Sequence, residues 1–322
     1  MKAVAISLLC LLIVLCLGGW LTRPKPLSPA TEIYTFAGSV EEHLATAEAR
    51  ANGDYGLVDG TEKRVVWAAE PGERSEYVVI YLHGFSATRQ ELAPVPELVA
   101  KELGANLFET RLQGHGRERS PLQGLPAEAW LDDAREALAI GKALGDKLIV
   151  LGVSTGATLA LTLAEHPDFA AVDTLVFLSP NFGPAAPGSG LATGPYGPQI
   201  TRLFAGPTHS WEPANELQAK YWTTSYPTTS IIEMMRLVDL ANQLLPAARV
   251  PNALLVYSPQ DDVISVPKAL AGFERLTAAR KDIHVLEEPD SISPHVFAGD
   301  ILGPAENSNA VQVIVSFLRG AP

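Results

Sequence analysis

Only two of the 322 residues are cysteines, Cys10 and Cys16, and both fall in the first apolar stretch. The rest of the chain therefore has no thiolate nucleophile, no disulfide framework and no cysteine metal site. Basic residues are scarce as well. Lys and Arg number 24 against 36 Asp and Glu, a net charge of −12 that becomes −15 once Lys2, Arg23 and Lys25 are set aside. A surface of that sign repels phosphate, and no basic cluster interrupts it, so no nucleic-acid partner is expected. No internal repeat is visible, and no pattern calls for a metal or a cofactor.

Charge is missing altogether from residues 3–21, "AVAISLLCLLIVLCLGGWL". As a helix this run would be roughly 28 Å long, close to the hydrocarbon thickness of a bilayer. A cleavable signal would have a shorter apolar core and an A-x-A-like site, and neither is present. The expectation is a retained signal anchor, with a cleaved signal as the second reading and the domain on the extracytoplasmic, for a bacterium periplasmic, side. Residues 1–30 are then anchor and Pro-rich linker ("RPKPLSP"), and residues 31–322 form the folded domain.

Within that domain, strands alternate with helices. "KRVVWAA", "YVVIYL", "NLFET", "KLIVLG", "DTLVFLS", "LLVYS" and "DIHVLEE" read as strands. "YVVIYL" is apolar at nearly every position, as in a strand buried on both faces. Helices are expected over "SVEEHLATAEAR", about 88–102, about 127–144, "ATLALTLAEH", from Pro267 onward, and over "NAVQVIVSFLRG". This order predicts an α/β fold, a mostly parallel sheet with helices on both faces. Residues 181–250 break the rhythm with Gly, Pro and aromatics and one clear helix near 228–245. They are expected to form an inserted cap over the edge of the sheet where ligands bind.

Gly152-Val153-Ser154-Thr155-Gly156 lies between the strand "KLIVL" and the helix "ATLALTLA". In that context G-x-S-x-G is a tight strand-to-helix turn that projects the serine hydroxyl above the sheet. Ser154 is thus the candidate nucleophile. His83-Gly84 ends an earlier strand, so the backbone N–H of Phe85 and that of Thr155 are candidate donors to an oxyanion. His83 itself reads as a structural residue of the turn. A serine nucleophile needs a base held by an acid, in the chain order Ser, acid, His. His295, in a loop between the last strand and last helix, is the candidate base. His43, His166 and His209 lack a strand-end position, His284 alternates within a strand, and His115 precedes Ser154. The acid comes from "SPQDDVIS" after the strand "LLVYS". Neighbouring carboxylates on extended backbone point apart, and Asp261 is expected to serve His295 while Asp262 stays solvated.

These residues together resemble the α/β-hydrolase family, in its esterase, monoacylglycerol-lipase and serine-aminopeptidase-like branch. The resemblance covers about residues 60–320, through "HGFSA", "RLQGHG", "GVSTG", "SPQDDVIS" and "SPHVF" in that order. Ser258-x-x-Asp261-x-Val263 is similar to the family's G-x-x-D-x-V-like motif, with Ser for Gly, which supports Asp261 over Asp262. The HGGG-type oxyanion loop is replaced by H-G-F. The resemblance implies a serine carboxylic-ester hydrolase needing no cofactor, acting on a small ester such as a short to medium acyl ester or a monoacylglycerol. The same fold hosts thioesterases, amidases and acyltransferases, and a non-catalytic binding protein is the alternative of a different class.

Overall fold

The computed structural model describes residues 2–320, leaving out the side chains of residues 2–5, 9 and 11. Two helices, α1 (Lys2–Thr22) and α2 (Val40–Tyr55), precede the sheet. There follow β1 (Arg64–Val66), β2 (Ser75–Leu82), α3 (Val95–Leu103), β3 (Asn106–Glu109), α4 (Ala127–Leu144), β4 (Gly145–Val153), α5 (Thr155–Thr162) and β5 (Val172–Leu178). The segment after β5 carries α6 (Gly197–Ala205), β6 (Thr208–Ser210), α7 (Glu216–Tyr221), β7 (Ser225–Pro227) and α8 (Thr228–Leu244). The chain then returns through β8 (Arg249–Tyr257), α9 (Val266–Arg275), β9 (Thr277–Val285) and α10 (Asn307–Leu318).

Seven strands form one sheet in the order β1-β3-β2-β4-β5-β8-β9. Only β1 runs antiparallel to its neighbour. The apolar run of β2 has a direct cause. Val78, Ile80 and Leu82 pack with α4, α5 and α8 on one face, and Val79 and Tyr81 pack with α3 and α10 on the other. Both faces are covered from Val78 to Leu82, so these five positions see no solvent, while Glu76 at the start of the strand is exposed.

Two expected elements are drawn differently. The helix expected over about 88–102 is split into a 3₁₀ turn, Arg89–Glu91, and α3. Pro94 and Pro96 each lack an N–H, and Pro94 would break an α-helix spanning that stretch. The segment 181–250 holds more than one helix: α6, α7 and the β6–β7 hairpin lie beside α8. Elements of three to nine residues are too short to leave a periodic signature.

The N-terminal part lies against the domain. A capping box between Ser39 and Glu42 starts α2, and Glu48 on α2 takes two hydrogen bonds from Arg111 at 2.9 and 2.7 Å. His43 meets Glu136 at 2.7 Å, and Glu136 also pairs with the buried Lys63. Further upstream, Leu27 and Ala30 are buried in the core, and Arg236 Nε donates to the Lys25 carbonyl at 2.8 Å. Tyr196 donates its hydroxyl to the Leu15 carbonyl at 2.7 Å, joining α1 to the segment over the sheet. Residues 3–5, 9 and 11 of the apolar run lie outside the described side chains. Among the described residues, no helix is long and apolar enough to cross a membrane.

Candidate active site

The turn between β4 and α5 holds Ser154 at φ +52°, ψ −115°. A residue with a Cβ is strained at such a φ, and the surroundings must hold it there. They do so through the backbone: Ser154 N–H donates to Leu178 O at 2.9 Å, and Ser154 O accepts from Ala157 N–H and Asn181 N–H, both at 3.1 Å. The flanking glycines let the chain close this tightly. A Cβ at Gly152 would lie 2.5 Å from the Ala157 nitrogen, and one at Gly156 would lie 1.9 Å from the Leu82 carbonyl oxygen. The result is a nearly buried serine at the N-terminus of α5, where the helix dipole favours negative charge.

Of the two acids after β8, Asp261 is buried and Asp262 is exposed. Asp261 Oδ1 accepts the N–H groups of Val263 at 2.9 Å and Ile264 at 3.0 Å. Its Oδ2 lies 2.7 Å from His295 Nδ1. Three hydrogen bonds thus hold the carboxylate against a ring that is itself mostly buried. With Nδ1–H directed at Asp261, Nε2 is the basic nitrogen. His295 and Ser154 both line one cavity of about 860 Å³.

The loop after β2 completes that wall. Phe85 and Thr155 line the cavity, and their N–H groups have no acceptor among the described residues. Their neighbours do have one: Gly84 N–H donates to Glu91, and Ser86 N–H to His115 Nε2 at 3.1 Å. His83 Nε2 accepts from Leu112 N–H at 3.0 Å, while its Nδ1 faces the Gly84 carbonyl at 2.9 Å. Burial lowers the His83 pKa to about 4, and pushes that of His115 well below the usual histidine value. Both rings are neutral spacers that tie the loop of residues 83–86 to residues 111–115.

Other histidines are elsewhere. His43 pairs with Glu136, His166 with the Glu32 carbonyl at 3.0 Å, and His284 sits on β9 opposite Val256. His209 is different: it lines the cavity with its ring 5.4 Å from that of Tyr226. Glu91, Asn181 and Trp211 are also on the cavity wall. None of these had a sequence signal beyond membership of the inserted segment or closeness to the H-G-F turn. Elsewhere the lining is mostly apolar, with Leu191, Phe204, Ile231 and Met234 among its side chains. Among the described residues, no group of three or more His, Cys, Asp or Glu side chains is arranged to hold a metal ion.

Comparison with known proteins places this chain in a family. The model of the alpha/beta hydrolase family matches residues 79–301. A thermostable monoacylglycerol lipase of Bacillus sp. (strain H-257) is 28% identical over 222 residues, which is 68% of this chain and 85% of the lipase. Among solved structures, the monoacylglycerol lipase of Paleococcus ferrophilus superposes with a TM-score of 0.58 at 16% identity, over 80% of this chain and 98% of the other. A soluble variant of monoglyceride lipase from Saccharomyces cerevisiae gives 0.58 at 14% identity, over 92% and 98%. The two structures bear on the fold alone. The chain belongs to the alpha/beta hydrolase family and is distantly related to monoacylglycerol lipases and esterases.

Proposed function

We propose that this alpha/beta hydrolase cleaves carboxylic esters of short to medium acyl chain, monoacylglycerols among them, through an acyl-enzyme. One observation carries the reading: Asp261 holds His295 at 2.7 Å on the wall of the cavity that also contains the strained turn of Ser154. In this reading Ser154 Oγ attacks the ester carbonyl while His295 Nε2 takes its proton. Asp261 keeps the Nδ1–H tautomer and stabilises the imidazolium. Negative charge on the carbonyl oxygen is met by the Phe85 and Thr155 N–H groups. His295 then returns the proton to the departing alcohol, and water repeats the sequence on the acyl-serine. The Bacillus relative, by its name a monoacylglycerol lipase, supports an ester over an amide or thioester.

A series of p-nitrophenyl and monoacylglycerol esters tests the reading. Butyrate to decanoate esters are expected to have the highest kcat/KM, since the cavity is of ligand-binding size and mostly apolar. Faster turnover of long-chain triglycerides, or of matched thioesters or anilides, would overturn it.

We extend the proposal to location: α1 anchors the domain at a membrane, with the catalytic side extracytoplasmic. Support comes from the uncharged run 3–21 and from the exposure of Leu12, Val14, Trp20 and Leu21 on α1. Leu203 and Phe204 of α6 add exposed apolar surface, and Phe204 also lines the cavity. The full chain should sediment with membranes, and a chain beginning at Arg23 should stay in the supernatant with its esterase activity. Recovery of the unprocessed full chain in the soluble fraction would contradict the anchor.

A further inference from the structure

Glu91 is a carboxyl without a cation. It is almost fully buried, yet it lines the cavity that contains Ser154. Its Oε1 accepts the hydroxyl of Tyr81 at 2.9 Å and the N–H of Gly84. Its Oε2 lies 3.0 Å from where a Cβ on Gly84 would stand, and the Ser154 Cβ is 3.5 Å from the same point. The carboxyl and the serine therefore flank the same glycine, and the next N–H along the chain is that of Phe85.

Resting on the ester-hydrolase reading above, we infer that Glu91 is a positioning residue for the oxyanion site. By holding the Gly84 N–H it fixes the His83–Gly84 peptide, from whose end the next peptide projects its Phe85 N–H toward the substrate carbonyl. A side chain at this glycine would press on the carboxyl, which would have to shift by a few tenths of an ångström. Without that anchor the Gly84 N–H would compete for the oxygen or turn the loop away from it.

The charge state of Glu91 then matters. Burial raises its pKa from 4.5 to about 8, so the group is a neutral acid over most of the working range. The groups around it leave that state undisturbed. Tyr81 on β2 stays protonated, its own pKa pushed well above 10 by burial and by Glu91. Glu109 on β3 is bound by Arg64 and Arg89, and Asp300 accepts from Asn307 at 2.7 Å. His83 is neutral, and His295 across the cavity is engaged with Asp261. Above about pH 8 the ionised carboxylate would stand beside the developing oxyanion and oppose it. Stability follows the same sign. Between pH 4.5 and about 8 the native state keeps a proton that the unfolded chain releases, so raising pH through that window lowers stability.

The experiment measures kcat, KM and Tm from pH 6 to 10 with p-nitrophenyl butyrate for the wild type, Glu91→Gln and Glu91→Ala. The wild type should lose at least about tenfold in kcat above its Glu91 titration. Glu91→Gln keeps an acceptor for Gly84 and Tyr81. It should stay within about threefold of the wild type at pH 7 and lose the alkaline limb. Glu91→Ala should lower kcat by about tenfold to a hundredfold with KM nearly unchanged. A Gln variant that keeps the alkaline limb, or an Ala variant equal to the wild type at pH 7, overturns the role of Glu91 alone. A wild type without turnover on any ester overturns the ester-hydrolase reading and this inference with it.

Discussion

Ser154→Ala is expected to lower kcat by about four to six orders of magnitude, with the fold intact. The residual rate comes from binding and from the oxyanion donors, which the change leaves in place. Alanine keeps a Cβ, so the backbone at φ +52° stays under the same constraint and Tm should move little. Ser154→Gly should be equally inactive but more stable by about 1 kcal/mol, because glycine adopts that φ without strain. A fluorophosphonate probe should label the wild type and neither variant, with circular dichroism and Tm as the check on folding. Retention of more than a tenth of the wild-type kcat in Ser154→Ala would remove the serine from the mechanism.

The second large effect separates two adjacent acids. Asp261→Asn should cost about four orders of magnitude in kcat. An amide at this position cannot satisfy all three of its neighbours. If its oxygen stays with the Val263 and Ile264 N–H groups, its NH₂ faces His295 Nδ1 and forces the wrong tautomer. If it turns over, the NH₂ meets two backbone donors and leaves them unpaired, at about 1–3 kcal/mol for each buried group. Asp262 is exposed, and Asp262→Asn should retain kcat within about threefold. Assays on both variants, with Tm to separate stability from chemistry, decide the matter. A dead Asp262→Asn beside an active Asp261→Asn would reverse the roles.

The sheet was legible in the sequence because its central strands are buried on both faces. Runs such as "YVVIYL" and "KLIVLG" are buried from their second residue onward, and all seven expected strands are present in one sheet. The preference for Asp261 rested on its place after the strand, its spacing to Val263 and the family's motif, and the structure brings this acid, not the exposed Asp262, to His295. The carboxylate accepts the N–H of Val263, two residues on, and this bond turns the carboxyl toward His295. The short cap elements were not legible, since α6, α7, β6 and β7 have no period long enough to read. Glu91 was hidden for another reason. A single acid after an H-G-F turn looks like any solvated helix start, and only the fold shows that it faces a cavity instead of water.

Residues 23–31 look like a flexible leash on paper, with three prolines in seven residues. In the folded chain they are a bracket. Arg23 Nε donates to the Thr193 carbonyl at 3.1 Å, Lys25 is gripped through its carbonyl by Arg236, and Leu27 and Ala30 are sunk into the core. The first helix therefore cannot swing freely about the domain. Whatever orientation α1 takes in its surroundings is inherited, through α8 and the segment around Thr193, by the mouth of the cavity. A leash would let the entrance sample every direction; a bracket gives it a bearing.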